Sequence, residues 1–209
     1  MGDVVLLGAS KFAAEVARYV QGAGHRVDRY LALPGEVVTV PEGRWEDISR
    51  EALPDGTPVV LAVADTELRA SAVRDYIEAW NLDAVNVVDT SSTVEDGALL
   101  GVGNIIGPEN YIGVNTTLGS FNVLHYKSSI GNHSRVGSLN FISPNFHTGN
   151  TVTIGSGNFI GIGCQLAPGV TVGDGCRIQA GLTLFEDAVD ARSYIVPSRV
   201  KSLPIQQTS

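Results

Sequence analysis

The chain has 209 residues, enough for one large domain or two small ones. With 44% apolar and 17% charged residues it is no disordered polyelectrolyte, and it holds no run of about 18 apolar residues that would span a membrane. A net charge of −8, with no sizeable basic cluster, makes nucleic acid and anionic membrane poor partners.

The opening MGDVVLLGAS lacks a basic n-region and reads as a buried strand, so a cytoplasmic location is expected. After that strand, Val4–Leu7, Gly8-Ala9-Ser10 makes a turn into a helix on which Phe12, Val16, Tyr19 and Val20 recur at helical spacing and Gly22 and Gly24 follow. A second strand is expected over Arg29–Leu33, a third over Val59–Val63, an amphipathic helix over Thr66–Trp80 and a further strand over Ala84–Val88. Strand, helix and strand in that order predict a small parallel sheet, an α/β Rossmann-like unit over residues 1–90. Gly8-Ala9-Ser10-Lys11-Phe12-Ala13 keeps only the first glycine of G-x-G-x-x-G. It is either an anion-binding turn at a helix N-terminus or a tight turn without a ligand.

From Val94 the period changes. A six-residue step runs through Leu100, Ile106, Ile112, Leu118, Leu124, Ile130, Val136, Ile142, Thr148, Ile154, Ile160, Leu166, Val172 and Ile178 to Leu184, and only Thr148 is not aliphatic. Glycine follows at 101, 107, 113, 119, 131, 137, 149, 155, 161 and 173, whereas His125 takes that slot after Leu124. A strict period of six fits neither a helix nor simple strand alternation; it marks a parallel β-helix, here over residues 91–187, with 188–209 as a tail. Three hexads close one triangular coil, coils stack at about 4.8 Å, and inward asparagines can form ladders. Cys164 and Cys176 fall at inward positions and read as small buried reduced residues.

This [LIV]-G-x-x-[small]-x repeat resembles the left-handed β-helix acyltransferases of the hexapeptide-repeat family. A Rossmann-like unit before the coils narrows the likeness to the nucleotide-sugar N-acetyltransferases and the related sialic acid O-acetyltransferases. The motifs carrying it are Gly8-Ala9-Ser10, Ala62-Val63-Ala64-Asp65 with Arg69, Ile142-Ser143-Pro144, Val170–Gly175 and Asp187. The resemblance implies a homotrimer, acetyl-CoA or another acyl-CoA as donor in the groove between prisms, and transfer to an amine or hydroxyl of a small molecule, foremost a nucleotide-linked amino sugar, with a diverged enzyme acting on another biosynthetic intermediate as the alternative. Gly8, Ser10, Asp65 and Arg69 would then touch the acceptor, with Lys11 and Phe12 standing where glycine-histidine is usual.

The family's base is a histidine seven residues after an asparagine and just before an acid. In ungapped register this chain has His125 at the asparagine position, Asn132 at the histidine position and His133 at the acidic one. Three readings stay open. His125 is the base and Asn132 orients it or the acceptor; or His133 or His147 does the work; or no base survives, and positioning alone serves or catalysis is lost and the chain only binds. Each histidine also has a bland alternative, as a buried structural residue for His125 and as plain surface for His133 and His147. For the donor, Gly149 and Asn150 are candidates to meet the thioester oxygen, with Gly161 beside the groove and Arg177, Arg199 and Lys201 for the phosphates. Steps of eight and fourteen residues between the three histidines do not match the zinc-binding carbonic anhydrases built on this scaffold, so no metal is expected.

Overall fold

The computed structural model describes residues 2–196. Its N-terminal unit is a parallel sheet of β1 (Asp3–Leu7), β2 (Arg26–Ala32), β3 (Trp45–Asp47), β4 (Pro58–Leu61) and β5 (Asp83–Ala84), in the order β3-β2-β1-β4-β5. Helix α1 (Lys11–Gly22) connects β1 to β2, and α2 (Thr66–Ala72) runs on into a π-helical turn, Val73–Glu78, before β5. The expected alternation is therefore present, with three differences. β2 begins three residues early, β3 was not anticipated, and the expected strand Ala84–Val88 is divided between two sheets. Asp83–Ala84 pairs with β4, whereas Val87–Val88 already pairs with Ile105–Ile106 of the β-helix. Asn86 makes this handover, donating to Gly101 O and accepting from Asn104 N.

The rest of the described chain is a left-handed parallel β-helix of two-residue strands on three faces. The first face holds Thr93–Val94, Tyr111–Ile112, Ser129–Ile130, His147–Thr148, Gln165–Leu166 and Thr183–Leu184. Leu99–Leu100 opens the second, and the third runs from Val87–Val88 through Val123–Leu124 and Phe141–Ile142 to Ser193–Tyr194, so part of the expected tail is a strand. Partners stand eighteen residues apart, as in Tyr111↔Ser129 and Ile112↔Ile130. The hexad aliphatics fill the shaft, with Ile106, Ile112, Ile130, Ile142 and Ile160 fully buried. Asn122 and Asn140 each donate to the asparagine one coil before, Asn104 and Asn122, at 3.0 Å, so the inward ladder satisfies buried amides. Cys164 and Cys176 are buried and unpaired.

The glycines beside the aliphatic positions serve close approach and not unusual dihedrals: a Cβ on Gly137 would lie 2.8 Å from backbone atoms of Gly155. The left-handed residues sit elsewhere on the corners, at Glu109, Asn115, Phe121, Lys127, His133, Leu139, Asn145 and Thr151 and then at glycines from Gly157 onward. Thr148, the exception in the hexad series, has a local reason. Its hydroxyl accepts from Gly131 N at 2.9 Å, where neighbouring coils use a main-chain carbonyl.

Candidate active site at the domain seam

Helix α1 lies on the third face. Phe12, Val16 and Tyr19 share one apolar cluster with the outward-facing Ile105, Val123 and Phe141. Within that seam is His125, only 6% exposed. Its ring stands 5.6 Å from Phe12 and 5.1 Å from Phe141, with Tyr19 and Tyr126 edge-on. Nδ1 is 3.1 Å from the Glu15 carboxylate and 3.5 Å from the Tyr19 hydroxyl, and that hydroxyl also donates to Glu15. Burial lowers the His125 pKa, and Glu15 opposes that by favouring the charged ring; burial is the larger effect, so the imidazole is neutral near pH 7. Tyr19 is held protonated, first by burial and then by its bond to Glu15. Among the described residues nothing hydrogen-bonds Nε2, and Nε2 is not among the buried unsatisfied atoms.

The remaining expected residues are spread over the molecule. Asn132 lies on the next corner of the prism, where its side chain accepts from Val114 N at 3.0 Å and Tyr111 OH at 3.4 Å. His125 and Asn132 therefore do not touch within one chain. His133 is exposed in the left-handed conformation at φ 58°, 3.5 Å from Asn115, and His147 is exposed on the first face, 2.9 Å from Ser129 Oγ. Gly149 N–H is engaged by Leu166 O, whereas Asn150 N–H has no acceptor among the described residues. The coil below brings Pro168 beneath that corner, close enough that a Cβ on Gly149 would meet it at 2.5 Å. Gly161 is buried beneath Ala180. Arg177 is exposed on the third face, beside Phe159 and the start of α2 in a cleft of about 300 Å³. Arg199 and Lys201 lie outside the described residues.

In the N-terminal turn the amides that could meet a ligand have partners from within the chain. Gly8 has φ +127° and a Cβ there would meet Ala62 O at 2.5 Å, so only glycine fits. Yet the amides it presents are already engaged: the Glu36 carboxylate accepts from Ala9 N at 2.9 Å and Ser10 N at 3.0 Å. Lys11 is exposed, and Phe12 is buried against His125. Asp65 caps α2, accepting from Glu67 N and Leu68 N. Arg69 is fully buried and donates to Leu61 O, Val63 O and Phe121 O, tying the sheet to the β-helix. With no carboxylate beside it, desolvation brings its pKa down to about 10.

Residues 151–185 match a family model described as Bacterial transferase hexapeptide (six repeats). A histidine-to-asparagine mutant of perosamine N-acetyltransferase from Caulobacter crescentus, in complex with CoA and GDP-perosamine, is similar at TM-score 0.82 and 23% identity, over 97% of this chain and 98% of that one. The chain has the hexapeptide-transferase fold. The acetyltransferase domain of PglB from Neisseria gonorrhoeae, in complex with acetyl coenzyme A, gives 0.79 at 18% identity over 91% and 94% of the two chains. WeeI from Acinetobacter baumannii gives 0.79 at 17% over 92% and 96%. No curated protein sequence matches the chain.

Two carboxylates, Glu15 beside His125 and Glu36 beneath the N-terminal turn, carry no functional expectation from the sequence. Glu15 stands on the face of α1 that carries Phe12, Val16 and Tyr19, and an acid within an apolar stripe was the available signal. Glu36, in the turn after β2, had none.

Proposed function

We propose that the protein is an acyl-CoA-dependent acyltransferase that moves an acetyl group to an amine of a small molecule, with a nucleotide-linked amino sugar as the leading acceptor class. The observation that carries this is the likeness over nearly the whole chain, N-terminal unit included, to an acetyltransferase bound to CoA and GDP-perosamine. His125 supplies the chemistry the reaction requires. As the acceptor nitrogen attacks the thioester carbonyl it must lose a proton, and a neutral imidazole with an open Nε2 can take it. The tetrahedral intermediate then collapses, the C–S bond breaks, and CoA leaves as thiol with that proton. Arg177, with Arg199 and Lys201, is the proposed partner of the donor phosphates. Asn132, on another corner, and Asn150, with its unengaged amide, would join His125 only across a subunit boundary, which fits a homotrimer. The step needs no metal.

A second reading of the acceptor is favoured by Glu36. Its carboxylate sits on the amides where a Rossmann-like turn would receive a phosphate. That supports an acceptor held by other groups, such as a free amino sugar or another biosynthetic intermediate. Thiol release from acetyl-CoA, measured against nucleotide-linked and free amino sugars, separates the two. Turnover with one class is expected, with a ~10²–10⁴-fold loss in His125→Ala. Absence of thiol release with every acceptor, together with no thermal shift on adding CoA, would contradict the proposal.

A further inference from the structure

Among the contacts of His125, one is contributed by the N-terminal unit and is suited to fix which ring nitrogen carries the proton. Both Tyr19 OH and His125 Nδ1 approach the same oxygen of Glu15. A carboxylate oxygen only accepts, so both neighbours must donate to it. The proton of the neutral ring is then on Nδ1, and the lone pair of Nε2 faces the open side. Phe12 and Phe141 are apolar, Tyr19 stays protonated, and the one further carboxylate, Asp89, acts weakly on the Tyr19 hydroxyl.

We propose that Glu15 is the positioning residue for His125, so that the catalytic base is assembled across the seam between α1 and the β-helix. This rests on His125 being the base of the proposed transfer. Glu15 does not touch the reacting atoms; it holds the ring tautomer and orientation, and favours the imidazolium formed when Nε2 takes the proton. Without Glu15, the nearest group to Nδ1 is the Tyr19 hydroxyl at 3.5 Å, which would donate to it and drive the ring proton onto Nε2, the nitrogen that must be bare.

The test is nitrogen-15 NMR of histidine-labelled full-length protein at neutral pH, for wild type, Glu15→Leu and Glu15→Gln. Wild type is expected to carry its His125 proton on Nδ1, and Glu15→Leu on Nε2. Glu15→Gln retains an accepting oxygen and is expected to keep the wild-type tautomer, which preserves a reading if the leucine variant does not fold. With an accepted acceptor, kcat should fall about tenfold or more in Glu15→Leu, within the ~10⁴-fold loss known for neutralising an orienting carboxylate. KM for acetyl-CoA should stay unchanged, and the acid limb of kcat/KM in Glu15→Gln should move to lower pH. An Nε2-protonated ring in wild type, or a switched tautomer in Glu15→Leu with unaltered turnover, would overturn the proposal. Because the spectra need no substrate, an inactive protein with the expected tautomers would fault the reaction and not the pairing.

Discussion

Burial and the Glu15 carboxylate pull the His125 imidazole in opposite directions, and burial prevails. A basic group whose folded pKa lies below its unfolded value of 6.5 binds fewer protons when folded. Its contribution to stability is thus complete above that value and is lost as the pH falls through the lower, folded pKa. Melting temperature should therefore drop between pH 7.5 and pH 5 more steeply in wild type than in His125→Gln, and equal slopes would contradict the seam environment described above. Arg69 makes a different argument. Val63 O and Phe121 O accept main-chain hydrogen bonds from no described residue, so the guanidinium is what satisfies them. Arg69→Met keeps the volume but strands those carbonyls, and chemical denaturation should show a loss of about 2–4 kcal/mol. Its expected contact with the acceptor came from a motif; that this arginine would point inward has no sign in the surrounding residues, since a lone arginine is ordinarily exposed.

At the scale of elements, the β-helix was legible because close stacking dictates the period. A coil with a Cβ at Gly137 would drive into Gly155, so the sequence repeats where the backbone repeats. The two kinds of corner glycine should respond to different degrees. Gly137→Ala is expected to destabilise by about 1–3 kcal/mol through that clash. Gly163→Asn, in a left-handed site with open space around it, should change stability by no more than about 1 kcal/mol. Denaturant midpoints for the two variants check this, and equal losses would mean that dihedral preference and not approach governs these corners. The α1 turn was less legible. Glu36 comes from the loop after β2, and no local pattern announces that a carboxylate 26 residues away will cap Ser10 N. Replacing Glu36 by alanine leaves those amides unpaired and should lower stability by about 0.5–2 kcal/mol, the usual range for a lost helix cap.

Across the whole molecule, the N-terminal unit and the β-helix meet through a continuous apolar cluster, with Phe141 buried beneath α1. The contact that defines the candidate site, Glu15 to His125, joins residues 110 apart in the chain. Hexad spacing could single out His125 as a departure from glycine, yet it could not say what the imidazole would face. The same limit applies to Asn132: register theory paired it with His125, whereas the triangular cross-section sets the two on different corners. Truncating Phe141 to alanine should weaken the seam by about 3–5 kcal/mol and separate the unfolding of the two units in calorimetry.

The most direct measurement is an experimental structure of the assembled protein with CoA bound. The account predicts the CoA sulfur beside Nε2 of His125, near the face of the ring turned away from Glu15, with Asn132 contributed by a neighbouring copy. CoA bound far from the α1 seam, or a sulfur flanked by His133 or His147 in place of His125, would contradict it.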